Sequence, residues 1–254
     1  MIVDGKSVSK TIAQDYIIQD KEVHLPIRYR KAFSFVAIFS APTDILKQLI
    51  PGNFFEIAEI FPGKGMIEVL FMRYIDNDLG NYDEIVIGTS VYEKGVARIP
   101  YVSAILDLIK GRLGHFGLYM PVTEGFACEA GKTIWGFPRS VENIKYTVED
   151  SYARVSLSMG DAHVLTLAVP KGGRRKLPET LSTTYTVIKG IPHKTTTLIS
   201  CEGVGFHRKG SELILGSHEI SDMLRKLGLP KRPMMAAWME NMHGILNAPT
   251  TLKQ

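Results

Sequence analysis

Two glutamates and an arginine stand where side chains could do chemistry. Glu68 lies inside the apolar run "MIEVLFM". Glu84 opens "EIVIGTSV", directly after the turn-rich "DNDLGNYDE". Arg139 follows the apolar corner "WGFP" in "GKTIWGFPRS", residues 131–140. An acid in an apolar strand is costly unless it is paired or lines a cavity. Strand alternation also allows Glu68 to point to solvent, so both readings are open. Glu84 is either a solvated strand start or a second cavity acid. Pro138 fixes its own φ and restricts Phe137, and Gly136 lets the chain bend, so a stiff apolar turn aims the guanidinium. Carboxylates of this kind transfer protons. A guanidinium grips a carboxylate or polarises a carbonyl.

Other candidates are weaker on their own. Arg30, in "IRYRKAF", precedes the first strong strand. "KGGRRK" is either a solvated charge run or an anion site. Trp135 and Phe137 are candidates for a substrate cage, with the core or an oligomer interface as the alternative. The sequence carries no GxGxxG before a helix, no P-loop and no HExxH. "GTSVYEKG" lacks the flanking glycines of a nucleophile elbow. The seven histidines are scattered, so neither a metal nor a cofactor is expected.

Mainly short strands must position these groups. "FSFVAIFSA" (33–41), "GMIEVLFMRY" (65–74) and "EIVIGTSVYEKG" read as strands. "ENIKYTVEDSYARVSLSMGDAHVLTLAVP" reads as a three-stranded meander broken at "EDSY" and "GDA". "KGGRRKLPET" is a loop, and "TYTVIKGIP" and "TTLISCEGVGFHRKG" are two further strands. "PTDILKQLIP" is a short helix between prolines. "GSHEISDMLRKLG" is another, with Ser217 as N-cap and Gly228 as its stop. "YVSAILDLI" fits strand or helix. The tail "PMMAAWMENMHGIL" favours helix on propensity. Residues 1–24 read as an arm or short helix, and 25–250 as one domain. Many short strands with few helices point to a mainly antiparallel sheet or barrel.

Composition excludes several classes. Lys plus Arg number 30 and Asp plus Glu 26, a formal charge of +4, too small and dispersed for nucleic acid. Two distant cysteines indicate no disulfide framework and fit a reducing compartment. No signal segment and no membrane-length apolar run are apparent, so a cytoplasmic protein that engages no membrane is expected.

The stretch from "YMPVTEGFACEAGKTIWGFPRSVENI" onward resembles acetoacetate decarboxylase, whose members carry a motif of the form G-R-E-x-x-x-(F/Y)-P-K-K. "IEVLFMRYIDNDLGNYDE" looks like the family segment that brings two glutamates to the pocket, with Glu68 and Glu84 at the matching places. In "LPIRYRKAFSFVAIF", Arg30 is the nearest match to a pocket arginine. The resemblance runs from about residue 25 to near the end. It implies a mainly β, α+β fold: a closed antiparallel β-barrel with flanking strands and a few helices, assembled as a homo-oligomer. It also implies that the tail is extended, against its propensity.

One position departs from the pattern. The family's chemistry depends on the lysine after the proline, which forms a Schiff base with the substrate ketone. Arg139 stands there and Ser140 follows it. A guanidinium has no free amine lone pair, and lowering its pKa to about 7 costs on the order of 7 kcal/mol. The resemblance therefore implies a lyase-like enzyme acting on a small anionic or carbonyl-containing molecule, such as an oxo acid, without a Schiff base. Arg139 and Arg30 would bind anionic oxygens, and Glu84 and Glu68 would move protons. A non-catalytic binding protein on the same fold is the alternative. A true decarboxylase using another lysine, Lys132 being the nearest, is the third.

Overall fold

The computed structural model describes residues 14–252. Residues 1–13 of the expected arm lie outside them. The rest of the arm is not a helix. It is a hairpin of β1 (Gln14–Ile18) and β2 (Lys21–Leu25), paired antiparallel. Gln19 and Asp20 make its turn, both at positive φ.

The chain then runs through β3 (Ile27–Pro42), α1 (Thr43–Leu49), β4 (Phe55–Ile57), β5 (Lys64–Asn77) and β6 (Tyr82–Glu93). Next come α2 (Val102–Ile109), β7 (Gly114–Tyr119) and α3 (Gly125–Ala130), which runs on into a π-helical turn, Gly131–Trp135. A meander follows, β8 (Asn143–Val148), β9 (Tyr152–Met159) and β10 (Ala162–Pro170). The last elements are β11 (Arg175–Ile188), β12 (Ile191–His207), β13 (Glu212–Leu215), α4 (Glu219–Lys226), β14 (Met235–Leu246) and β15 (Thr250–Thr251).

Seven strands close into a barrel in the order β11-β7-β6-β5-β3-β14-β12, with β12 pairing back to β11. Every contact round the ring is antiparallel except β7 with β11. A second sheet, β13-β10-β9-β8, lies outside it. Outward side chains of the barrel, Phe35, Phe71, Ile85 and Ile87, form one core with Val155, Leu157, Leu165 and Leu167 of that sheet. Helix α4 adds Ile220 and Leu224, and Leu227 just beyond it joins them. Strands β5 and β6 are therefore covered on both faces, which explains their near-continuous apolar character.

Alternation turns Glu68, Leu70, Met72, Glu84, Val86 and Gly88 to the other side, the barrel interior. There Tyr29, Ala32, Met72, Cys201, Val204 and Met242 meet from four strands of the ring. One end of the interior is closed by α3 and the π turn, whose Ile134 and Trp135 pack with Ile27 and Tyr82. The other end is lined by Ala58, Ile60, Met66 and Tyr92, with Ala104 of α2 against them.

The apolar tail is strand β14, extended as the resemblance implies, because pairing with β3 and β12 outweighs its helix propensity. Other expectations change. "YVSAILDLI" resolves to helix α2. The cap of α4 is His218, whose Nδ1 accepts from the Ile220 N–H at 3.2 Å, and not Ser217. The loop reading of "KGGRRKLPET" ends at Arg174, since Arg175 already belongs to β11.

Candidate active site

The segment that carries Arg139 is built as a helix that unwinds into a wider turn and stops. Glu124 caps α3, its Oε2 accepting from the N–H groups of Phe126 (2.7 Å) and Ala127 (3.3 Å). The helix widens into the π turn and ends at Gly136, left-handed at φ +67°. So the motif's first half is helical, and only the bend at Gly136 matches the turn expected for it. Phe137 N–H then donates to Gly131 O at 3.1 Å, which folds the chain back on itself. The Arg139 side chain lies over Gly131. A Cβ at Gly131 would come within 2.5 Å of Arg139 Cδ and 2.8 Å of its Nε. Glycine is needed here for space, not for φ.

Arg139 and Glu84 meet. The guanidinium donates from Nη2 (2.9 Å) and Nε (3.2 Å) to Glu84 Oε1, and from Nη1 to Ala127 O at 2.7 Å. Nη2 also reaches Tyr82 Oη at 3.4 Å, and Tyr74 Oη donates to Glu84 Oε2 at 3.2 Å. Both charged side chains are only 3% exposed. Burial pulls the Arg139 pKa down, but the Glu84 charge and the two phenols outweigh it and hold it above the ordinary arginine value. Burial raises the pKa of both Tyr74 and Tyr82, keeping them neutral donors.

Glu68 is not part of this group. Glu84 pairs with Met72, four residues along β5 from Glu68, a separation of about 13 Å along the strand. Glu68 instead lies 2.8 Å, Oε1 to Nδ1, from His115 of β7. Strands β5 and β7 are not neighbours. They are about 9.6 Å apart with β6 between them, and the contact passes over Gly88. A Cβ at Gly88 would stand 3.2 Å from Glu68 Oε1. The Glu68 side chain is 12% exposed and that of His115 33%. Burial lowers the His115 pKa, yet the charge of Glu68 and its hydrogen bond more than compensate and leave it above 6.5.

Arg30 does not enter the barrel. A register shift in β3 between Tyr29 and Lys31 puts it on the outer surface. There it donates to Asp76 Oδ1 from Nε (2.8 Å) and to Asp78 Oδ1 from Nη1 (2.6 Å). It borders an outer cleft of about 250 Å³ with Arg28, Ser200 and His243. Trp135 and Phe137 are buried core residues, stacked on each other at 5.8 Å. Trp135 Nε1 donates to Asn247 O at 2.9 Å, tying the plug to the end of β14. Neither offers a face to a ligand. Lys132 is exposed, and among the described residues no lysine is buried. Among the described residues no cluster of three or more metal-ligating side chains occurs. His115 was not singled out in the sequence. Its only local signal is a lone histidine among glycines and apolar residues in "GHFGLY", and the partner that gives it meaning lies 47 residues earlier.

A closed barrel with acids on its inner wall, plugged by a helix and a turn that deliver a basic residue, is a barrel of the acetoacetate-decarboxylase-like class. The chain belongs to that family: "Acetoacetate decarboxylase (ADC)" matches residues 19–249. No curated protein matches it. Among solved structures, acetoacetate decarboxylase from Legionella pneumophila superposes with a TM-score of 0.66 at 18% identity, over 90% of this chain and 87% of the other. The enduracididine biosynthesis enzyme MppR complexed with pyruvate gives 0.57 at 13%, over 90% of each. An acetoacetate decarboxylase-like enzyme from Sphingomonas wittichii gives 0.58 at 13%, over 91% and 95%. At these identities the likeness is one of fold.

Proposed function

We propose that this chain is an acetoacetate-decarboxylase-like enzyme that takes a small oxo acid or related carboxylate into its barrel and processes it by proton-transfer, lyase-type chemistry without a Schiff base. The observation that carries the reading is Arg139. By the resemblance it stands at the family's lysine position; its donors are committed to Glu84, Ala127 and Tyr82, and no described lysine is buried. An imine needs an amine with a free lone pair inside the barrel. The pyruvate named with MppR supports an oxo acid as the substrate class. In this reading the Arg139–Glu84 pair orders the plugged end of the barrel and holds Tyr74 and Tyr82 as neutral donors toward it.

The near-complete burial of that pair also favours a second reading, a binding protein that keeps the barrel and has lost catalysis. The chain further assembles as a homo-oligomer. Support comes from helix α2, which leaves Val102, Ile105, Leu106 and Ile109 exposed on one chain.

Borohydride reduction in the presence of acetoacetate or pyruvate tests the chemistry. The expected result is an unchanged protein mass. An adduct mapped to any lysine ends the Schiff-base-free reading. Arg139→Lys is expected to regain detectable trapping. Calorimetric binding of pyruvate without turnover of any oxo acid selects the binding protein.

A further inference from the structure

We propose that His115, positioned by Glu68, is the proton-transferring base of the barrel interior, and that its substrates are carbonyl compounds with an acidic C–H beside the carbonyl. The proposal rests on reading the interior as a carbonyl site. It adds a residue that the family motif does not contain and moves the proton chemistry away from Arg139 and Glu84.

Three observations support it. First, the contact is built rather than incidental. Glu68 reaches across an intervening strand, over Gly88, where a Cβ would stand 3.2 Å from Glu68 Oε1 and 3.0 Å from Phe116 O. Second, the geometry fixes the tautomer. A carboxylate at Nδ1 accepts the Nδ1 proton, so the lone pair sits on Nε2. Nε2 has no hydrogen-bond partner among the described residues, and a third of the side chain is accessible. Third, the rival groups are occupied. Arg139 and Glu84 satisfy each other in a nearly closed site, whereas Glu68 and His115 keep an unused lone pair on an accessible ring.

Among the described residues, Glu68 is the one charged group that acts on His115. Ser90 of β6 and Thr184 of β11 stand beside it in register. Toward α2, Tyr92 Oη donates to Asp107 at 3.0 Å, and the Arg98 guanidinium lies over the Tyr92 ring. Glu68 is thus the charge that sets its basicity.

The step balances without a further reagent. Nε2 takes a proton from the carbon beside the carbonyl. The C–H electron pair becomes the C=C bond, and the carbonyl π pair moves to oxygen as an enolate. The imidazolium then returns a proton to the same carbon, the enolate oxygen pair re-forms the carbonyl, and the cycle exchanges one C–H hydrogen. The Nδ1 proton stays shared with Glu68 throughout. His115 touches the substrate, and Glu68 acts through it.

The test is exchange of deuterium from D2O into the methyl groups of pyruvate and acetone, followed by proton NMR across pH. The wild type is expected to exchange pyruvate. His115→Asn should lower the rate at least tenfold while melting as a folded protein. Glu68→Gln should retain weaker exchange, with the acid limb of its pH–rate profile moved to lower pH, because burial then acts on His115 unopposed. A merely structural carboxylate would not move that limb. Exchange that survives His115→Asn, or wild-type protein that exchanges neither compound, overturns the proposal. If His115→Asn does not fold, an unmoved acid limb in Glu68→Gln overturns it instead. Exchange into acetone but not pyruvate keeps the dyad and removes the oxo-acid reading.

Discussion

Arg139 keeps its charge in the protein interior because the Glu84 carboxylate lies 2.9 Å from it. Removing one partner strands the other, a loss of about 3–5 kcal/mol for buried pairs. Arg139→Ala is therefore expected to lower unfolding stability by an amount in that range, read from urea denaturation near neutral pH. A value under 1 kcal/mol would show that the pair does not hold the plug. Gly131→Ala pushes a methyl group into Arg139, and overpacking of this kind costs about 1–3 kcal/mol. The two changes act on one contact. In the Arg139→Ala background, Gly131→Ala is expected to cost much less, and a double-mutant cycle measures that coupling. Additive losses would mean that Gly131 is required for some other reason. Trp135 and Phe137 show the same economy of space: the apolar corner positions the arginine by being buried itself.

The π turn is the element that converts a helix into a delivery point. Its end at Gly136 combines a left-handed backbone with Ile188 packed where a side chain would go. Gly63 has nearly the same φ, +68°, with nothing around it. Gly136→Ala should therefore lower the melting temperature more than Gly63→Ala. The common part is the backbone penalty of about 1–2 kcal/mol, and the excess is the clash with Ile188. Equal losses would show that packing at Gly136 is slack.

Much at this scale was legible in the sequence. The meander and the late hairpin carry period-2 patterns with turn residues between them, and β8–β10 and β11–β12 form where those patterns lie. Helix α3 was not legible. It is short, and the motif behind it invites an extended reading, while its cap, Glu124, is an ordinary acid in a loop until the structure places it. Arg139 could be named because it follows a stiff apolar corner, and Glu84 because an acid opens an apolar strand directly after a turn-rich loop. Their full mutual satisfaction could not, since it depends on the Ala127 carbonyl and on two tyrosines from β5 and β6. The Glu68–His115 contact depends on strand order across a third strand, information that no local pattern holds.

For the whole molecule, both faces of β5 and β6 are covered by the chain's own structure, while α2 presents Val102, Ile105, Leu106 and Ile109 outward. If α2 is where copies meet, light scattering should report an oligomer for the wild type and smaller species for Leu106→Lys with Ile109→Lys. A wild-type monomer at micromolar concentration would remove the proposed assembly.

Ring closure also has a consequence in time. Strand β3 pairs on one side with β5, which follows it closely, and on the other with β14, almost at the far end of the chain. As a ribosome releases the polypeptide, β3 therefore waits with a bare hydrogen-bonding edge until β14 (Met235–Leu246) has been made. Contacts so distant in sequence slow folding, and an exposed edge in the interim invites pairing with other nascent chains.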